Sequence, residues 1–149
     1  MSNNDQTGGL PRAVRTAHGE LTPEQIAEAL PSTGDLMALV GSSWWKCAYA
    51  ARGGNWPLAA YFARRVRSLQ RKLAMLRPKH RERLDAFEAE QLAPLFRAIE
   101  AADLAAFERA FAAATASANQ SHVETGYGYI RWVLPDEAPR DLDLTPDGS

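Results

Sequence analysis

The sequence predicts an all-α fold: an antiparallel up-and-down four-helix bundle with a short N-terminal helix and disordered tails. Three observations point to it. Ala, Leu, Glu and Arg, all strong helix formers, dominate the composition. Apolar residues recur at helical spacing in four long stretches. Gly53-Gly54-Asn55 and Pro78 mark breaks between those stretches, while Pro94 lies inside one of them. Runs of β-branched residues are scarce, which argues against a sheet. A chain of 149 residues with 46% apolar content fits one domain with a real core.

Residues 1–20 read as a disordered tail, residues 21–134 as the helical domain and residues 135–149 as an acidic, Pro-rich tail without structure. Thr22-Pro23-Glu24-Gln25 is a helix start, with Thr as N-cap, Pro in the first position and Gln completing a capping box. Pro31 should end this helix near Leu30. A second helix is expected over 33–52, with Leu36, Val40, Trp44, Cys47 and Ala51 in one apolar stripe. After Gly53-Gly54-Asn55 comes a third over 56–77, with Leu58, Phe62, Val66, Leu69, Leu73 and Leu76 on one face. The next runs over 79–101 through Leu84, Phe87, Leu92, Leu95 and Ile99, and Pro94 should kink or split it. Asp103 caps a last helix over 104–122, whose stripe is Leu104, Phe107, Phe111, Ala114, Ala118 and Ser121. Beyond Gly126, the apolar segment 127–132 should fold back over the bundle.

Charge and cysteine content exclude more than they assign. Net charge is −1, so the global balance names no partner. The single cysteine, Cys47, forms no internal disulfide and no Cys-rich metal site, and its place on an apolar stripe suits a small buried hydrophobe. Met1 to Gly9 shows no secretory pattern and no stretch is long enough to span a bilayer, so a cytoplasmic protein without membrane contact is expected. No phosphate loop, metal-binding helical pair or catalytic triad is evident, so the chain reads as a non-enzyme. Basic residues gather between 64 and 83. Arg64, Arg67, Arg71 and Lys72 mark the outer face of the third helix, suited to an acidic protein partner or another polyanion. No base-reading motif accompanies them, which disfavours sequence-specific DNA binding. A homodimer is compatible with everything above.

Ala118-Asn119-Gln120-Ser121-His122 has the frame of a covalent haem site with both sulfurs replaced. Gly54-Asn55-Trp56-Pro57-Leu58-Ala59 precedes it, and Thr125-Gly126-Tyr127-Gly128-Tyr129-Ile130 follows. In this order the segments resemble a family of small bacterial c-type cytochromes built as helical bundles, over about residues 35–140. That family carries Gly-Asn-Trp at the start of its second helix and ends its last in Cys-Asn-x-Cys-His. The resemblance implies a bundle fold and a haem site at the end of the last helix. Ala118 and Ser121 stand where the attachment cysteines would be, so a thioether-linked haem is chemically excluded.

A porphyrin missing from such a bundle leaves a space that side chains fill or a ligand occupies. Trp44, Trp56, Tyr61, Ala118, Ser121, His122, Tyr127 and Tyr129 are the candidate lining residues. The expected function is a haem-free, cytochrome-like module that binds a small apolar ligand or a protein partner and does not carry electrons. The expected cofactor is none. The alternatives are non-covalent haem b on His122, with no second axial ligand identifiable, and a polyanion-binding adaptor acting through the third helix.

Overall fold

The computed structural model of the chain describes Gly9 and residues 12–146, in two units divided between Ser32 and Thr33. Most of it is helical. The reading of Met1 to Gly9 as free of a secretory pattern lies, Gly9 apart, outside the described residues, as does the end of the acidic tail after Pro146.

The all-α expectation holds broadly, and the N-terminal unit adds one small two-stranded sheet to it. Strands β1 (Val14–Thr16) and β2 (Gly19–Leu21) pair antiparallel, with Val14 opposite Leu21 and Thr16 opposite Gly19. The Thr16 hydroxyl donates to Gly19 O at 2.7 Å and accepts from His18 N at 3.2 Å. Gly19 sits at φ +138, a conformation glycine adopts freely. This hairpin is held by local polar bonds and is mostly exposed, so it leaves no alternating apolar pattern in the sequence. Helix α1 (Pro23–Ala29) follows and carries the expected capping box: Gln25 N donates to Thr22 Oγ1 and Thr22 N to Gln25 Oε1.

The C-terminal unit holds the core. Helices α2 (Thr33–Arg52) and α3 (Trp56–Leu76) match their predicted ranges within a residue. Between them small residues allow close approach: Cys47, Ala50, Ala59 and Ala63 are all fully buried, and the Cys47 thiol donates to Ala59 O at 3.4 Å. Asn55 caps α3 by accepting from Leu58 N at 3.2 Å. The expected fourth stretch is broken into α4 (Arg81–Phe87), a π-turn over Glu88–Leu92 and α5 (Ala93–Glu100). Pro94 explains the break. It has no N–H to donate, and its ring crowds the preceding turn. The backbone widens just before it, so that Ala93 N–H reaches Glu88 O, five residues back. A short 3-10 turn, Pro78–His80, precedes α4. Helix α6 (Leu104–Glu124) starts on Asp103, which accepts from Ala106 N at 3.0 Å.

Contacts join α2 to α3, α3 to α5, α5 to α6 and α6 to α2. An aromatic row fills the middle: Trp44 stacks on Phe111 at 4.3 Å, Phe111 on Phe107 at 5.7 Å, and Trp56 meets Phe107 edge-on at 6.2 Å. Leu104 departs from its predicted inward stripe and is exposed at the first turn of α6. No helix among the described residues is long and apolar enough to cross a membrane.

The acidic segment also differs from its expected disorder. Residues 135–146 lie along α2 and the α2–α3 turn. Tyr49 Oη donates to Pro135 O, Lys46 pairs with Asp141 at 2.6 Å, and the Asn55 amide donates to Leu144 O and Thr145 O at 3.3 and 2.8 Å. Leu134 and Leu144 pack on the core, which supplies the apolar anchorage that a purely compositional reading misses.

Three helices stop in the same way. At the end of α2, Asn55 N bonds Ala50 O and Gly54 N bonds Ala51 O, with Gly54 at φ +77. At the end of α6 the same pair is Tyr127 N to His122 O and Gly126 N to Val123 O, with Gly126 at φ +88. These are Schellman turns, which favour glycine at the left-handed position. At the end of α5, however, that position is Ala102, at φ +50. Replacing Ala102 by Gly relieves a Cβ clash, so Ala102→Gly is expected to stabilise the fold by about 1 kcal/mol. A denaturant midpoint that rises at unchanged slope checks this. Cys47 gives a second test. Burial pushes its thiol up to about 12, so the native protein should leave a thiol reagent unreacted at mild alkaline pH and consume one equivalent only on unfolding.

Candidate ligand-binding cleft

Gly126 ends α6 and turns the chain back on itself. Ile130 N then bonds Tyr127 O at 2.8 Å, and the segment returns beside α6. Asn119 fixes the return. Its side-chain amide donates to Trp132 O at 2.9 Å and accepts from Trp132 N at 2.7 Å, as a neighbouring strand would. Trp132 is thereby laid against α2, where Gly41 leaves room: a Cβ there would stand 3.4 Å from the indole. The indole also meets Trp45 at 5.5 Å and His122 at 5.9 Å, both edge-on.

The space beside this segment is a cleft of about 330 Å³, near the lower end of the range for small-molecule sites. Its apolar walls come from Leu73 of α3, Leu84 and Phe87 of α4, Met37 of α2, and Ile130 and Trp132 of the returning segment. Ala118, Ser121 and His122 of α6 face it, with Thr125 and Tyr127. Thr33 and Gly34, the first residues of α2, also line it and bring the positive end of that helix.

Its polar groups are one-sided. Arg77, Lys79, His80 and Arg83 line the cleft, and among the described residues no Asp or Glu does. Arg83 is paired with Glu124 across to α6, and Arg77 donates to Leu76 O at 3.0 Å. Gln70 also lines the cleft. It is only 8% exposed, and its Oε1 has no hydrogen-bond partner in the protein. An unmet buried acceptor of this kind costs about 1–3 kcal/mol. His122 is half-buried, and its Nδ1 lies 2.9 Å from Ile130 O. Donation of Nδ1–H to that carbonyl leaves Nε2 with its lone pair.

Of the eight candidate lining residues, the structure brings four together: Ala118, Ser121, His122 and Tyr127. The other four lie elsewhere. Trp44 is buried against Phe111, and its indole N–H donates to Thr115 Oγ1 at 2.9 Å. Trp56 packs on Phe107 at the opposite end of the core row. Tyr61 is 51% exposed on α3 beside Phe62, and Tyr129 is 81% exposed beside Tyr127. Apolar type alone did not separate these core and surface aromatics from cleft walls. The sequence assigns Gln70 no role, and it places Arg77, Lys79 and Arg83 in the basic run over 64–83 without linking them to His122. The turn after α3 folds them, with His80, onto the same cleft as His122. The i, i+3, i+7 spacing of Gln70, Leu73 and Arg77 was the available signal.

The basic face of α3 is uneven. Arg71 makes a forked pair with Glu88, and Arg67 lies over the Phe96 ring at 4.5 Å. Arg64 and Lys72 are exposed. Among the described residues the acidic segment pairs away from this face: Asp141 with Lys46 of α2, and Glu137 with Arg140.

His80 reports the field in the cleft. Partial burial, then Lys79, Arg83 and Arg77, hold its pKa below the usual 6.5. An NMR titration should place its midpoint below that of an exposed histidine, and Lys79→Ala should move it upward. The sign of the stability effect follows. The unfolded chain takes up this proton first, so the contribution of neutral His80 is complete above about pH 6.5 and fades as pH falls toward the folded midpoint.

Comparisons of the chain with protein-family models, with curated proteins and with solved structures find no match. The cleft itself therefore carries the functional argument.

Proposed function

We propose that this chain is a non-enzymatic, haem-free helical module that binds a small molecule in the cleft beside His122. The helices are read as an up-and-down antiparallel bundle. The ring of contacts α2–α3–α5–α6–α2 supports that reading, with α4 and the π-turn leading into the α5 member. One observation carries the ligand reading. Four candidate residues from α6 and its return, Ala118, Ser121, His122 and Tyr127, share one cleft with apolar walls from three other elements. Two of them, Ala118 and Ser121, are small, so the space stays open where larger side chains would close it.

A second reading, non-covalent haem, has its own support. The donor set suits the group in kind: His122 keeps Nε2 available, and His80 and Met37 line the same cleft. Arg77 and Lys79 could face propionates. Bound haem would supply redox or gas-binding chemistry, while the chain would contribute a ligand, an apolar wall and cationic anchors. Without thiols at 118 and 121, retention would depend on coordination and packing alone.

The neutral, environment-sensitive dye Nile red tests the first reading. Saturable binding at one site is expected, and either Ala118→Trp or Ser121→Phe should reduce it by filling the cleft. Circular dichroism of both variants establishes that they fold. Unchanged dye binding in folded variants would overturn the cleft assignment. Added haem separates the second reading: a Soret band shifted by His122→Ala would select it, and a spectrum equal to that of free haem would remove it.

A further inference from the structure

We propose that the ligand is an amphipathic carboxylate carrying a hydroxyl group at its far end, held with its carboxylate beside Lys79 and its hydroxyl against Gln70. The inference rests on the cleft being a binding site and names what that site selects.

Gln70, Leu73 and Arg77 lie at i, i+3 and i+7 and all line the cleft. Seven residues of α-helix advance about 10 Å, so the cleft has two polar ends with an apolar stretch between them. At the first end, Gln70 is nine-tenths buried and its carbonyl oxygen is unmatched. A carbonyl oxygen accepts hydrogen bonds, so the complementary ligand group is a donor. A hydroxyl supplies one without bringing a buried charge. At the second end stand Arg77, Lys79 and Arg83, with no acidic side chain on the wall. Glu124 offsets Arg83, and Lys79 is exposed with no carboxylate partner among the described residues, so this end suits one negative charge better than several. Leu73, Leu84 and Phe87 line the stretch between and call for a hydrocarbon body. The positive end of α2 at Thr33 and Gly34 adds to the same field. The depressed pKa of His80 agrees with a cationic surrounding that an anion would relieve.

The test displaces Nile red with three probes of equal chain length: decanol, decanoate and ω-hydroxydecanoate. Decanoate should outcompete decanol by about fivefold or more, and Lys79→Gln should remove most of that advantage. The hydroxy acid should gain about fivefold over decanoate, and Gln70→Leu should erase that gain, bringing the two probes level. Leucine is an apolar replacement of similar size at a buried position, so the fold should tolerate it. If decanol binds as tightly as decanoate, or Lys79→Gln changes both alike, the anionic assignment is overturned and the cleft reading stands. If the hydroxy acid gains nothing, the role given to Gln70 is overturned. If Nile red itself does not bind, the cleft reading falls and the inference falls with it.

Discussion

One side chain governs the geometry around the cleft. The Asn119 amide satisfies both the N–H and the carbonyl of Trp132. Each bond is worth about 1 kcal/mol net, but breaking both would strand two backbone groups that are partly withdrawn from water. The consequence is positional. Once Trp132 is fixed, its indole lies on Gly41, and the segment from Gly126 to Leu134 becomes a wall rather than an extended apolar strand. Gly126 makes the turn possible, Asn119 sets where it lands, and His122 braces it through Ile130 O.

Asn55 repeats the device at the other end of the strap. Its Oδ1 caps α3, and its Nδ2 holds the backbone at Leu144 and Thr145. Both asparagines thus bind segments far downstream in sequence. Both also belong to the segments by which the chain resembles bundle cytochromes. Each has a structural role here, as do Gly54 and Gly126 at their helix stops. The landmarks of the resemblance therefore describe a scaffold, and the chemistry of the site has to be argued from what lines it.

The long helices were legible because their apolar residues repeat with the helical period and their caps are explicit in sequence. Thr22, Asn55 and Asp103 each accept the expected backbone bond. Pro94 announced a disruption, although only the structure shows that it takes the form of a π-turn. The β1–β2 hairpin and the docked segment 135–146 were illegible for a common reason. Both are held by a few polar bonds to specific atoms, and such bonds leave no periodic trace. The cleft was legible in half. His122, Ala118 and Ser121 stand out as a degenerate motif, and Tyr127 follows from the aromatic return. Trp44 and Trp56 were misplaced because an aromatic on an apolar stripe packs equally well into a core row. Lys79 and His80 fall at the end of the basic stretch over 64–83, and nothing local shows that the turn at Pro78 folds it onto α6.

The cleft is costly in a way that a merely residual hole would not be. A space left by lost function tends to close, because apolar packing stabilises and buried unmatched polar atoms do not. Here Gln70 keeps an oxygen without a hydrogen-bond partner among the described residues where leucine would pack, and Lys79 stands at an apolar wall with no carboxylate paired to it among those residues. Elsewhere in the same fold Arg71 pairs with Glu88, Arg52 with Glu108 and Lys46 with Asp141. Local rules broken together in one place, and obeyed around it, are the physical mark of a site shaped for something outside the chain. The polar ends and apolar middle of the proposed ligand are the complement of that imbalance: each supplies what the wall facing it lacks.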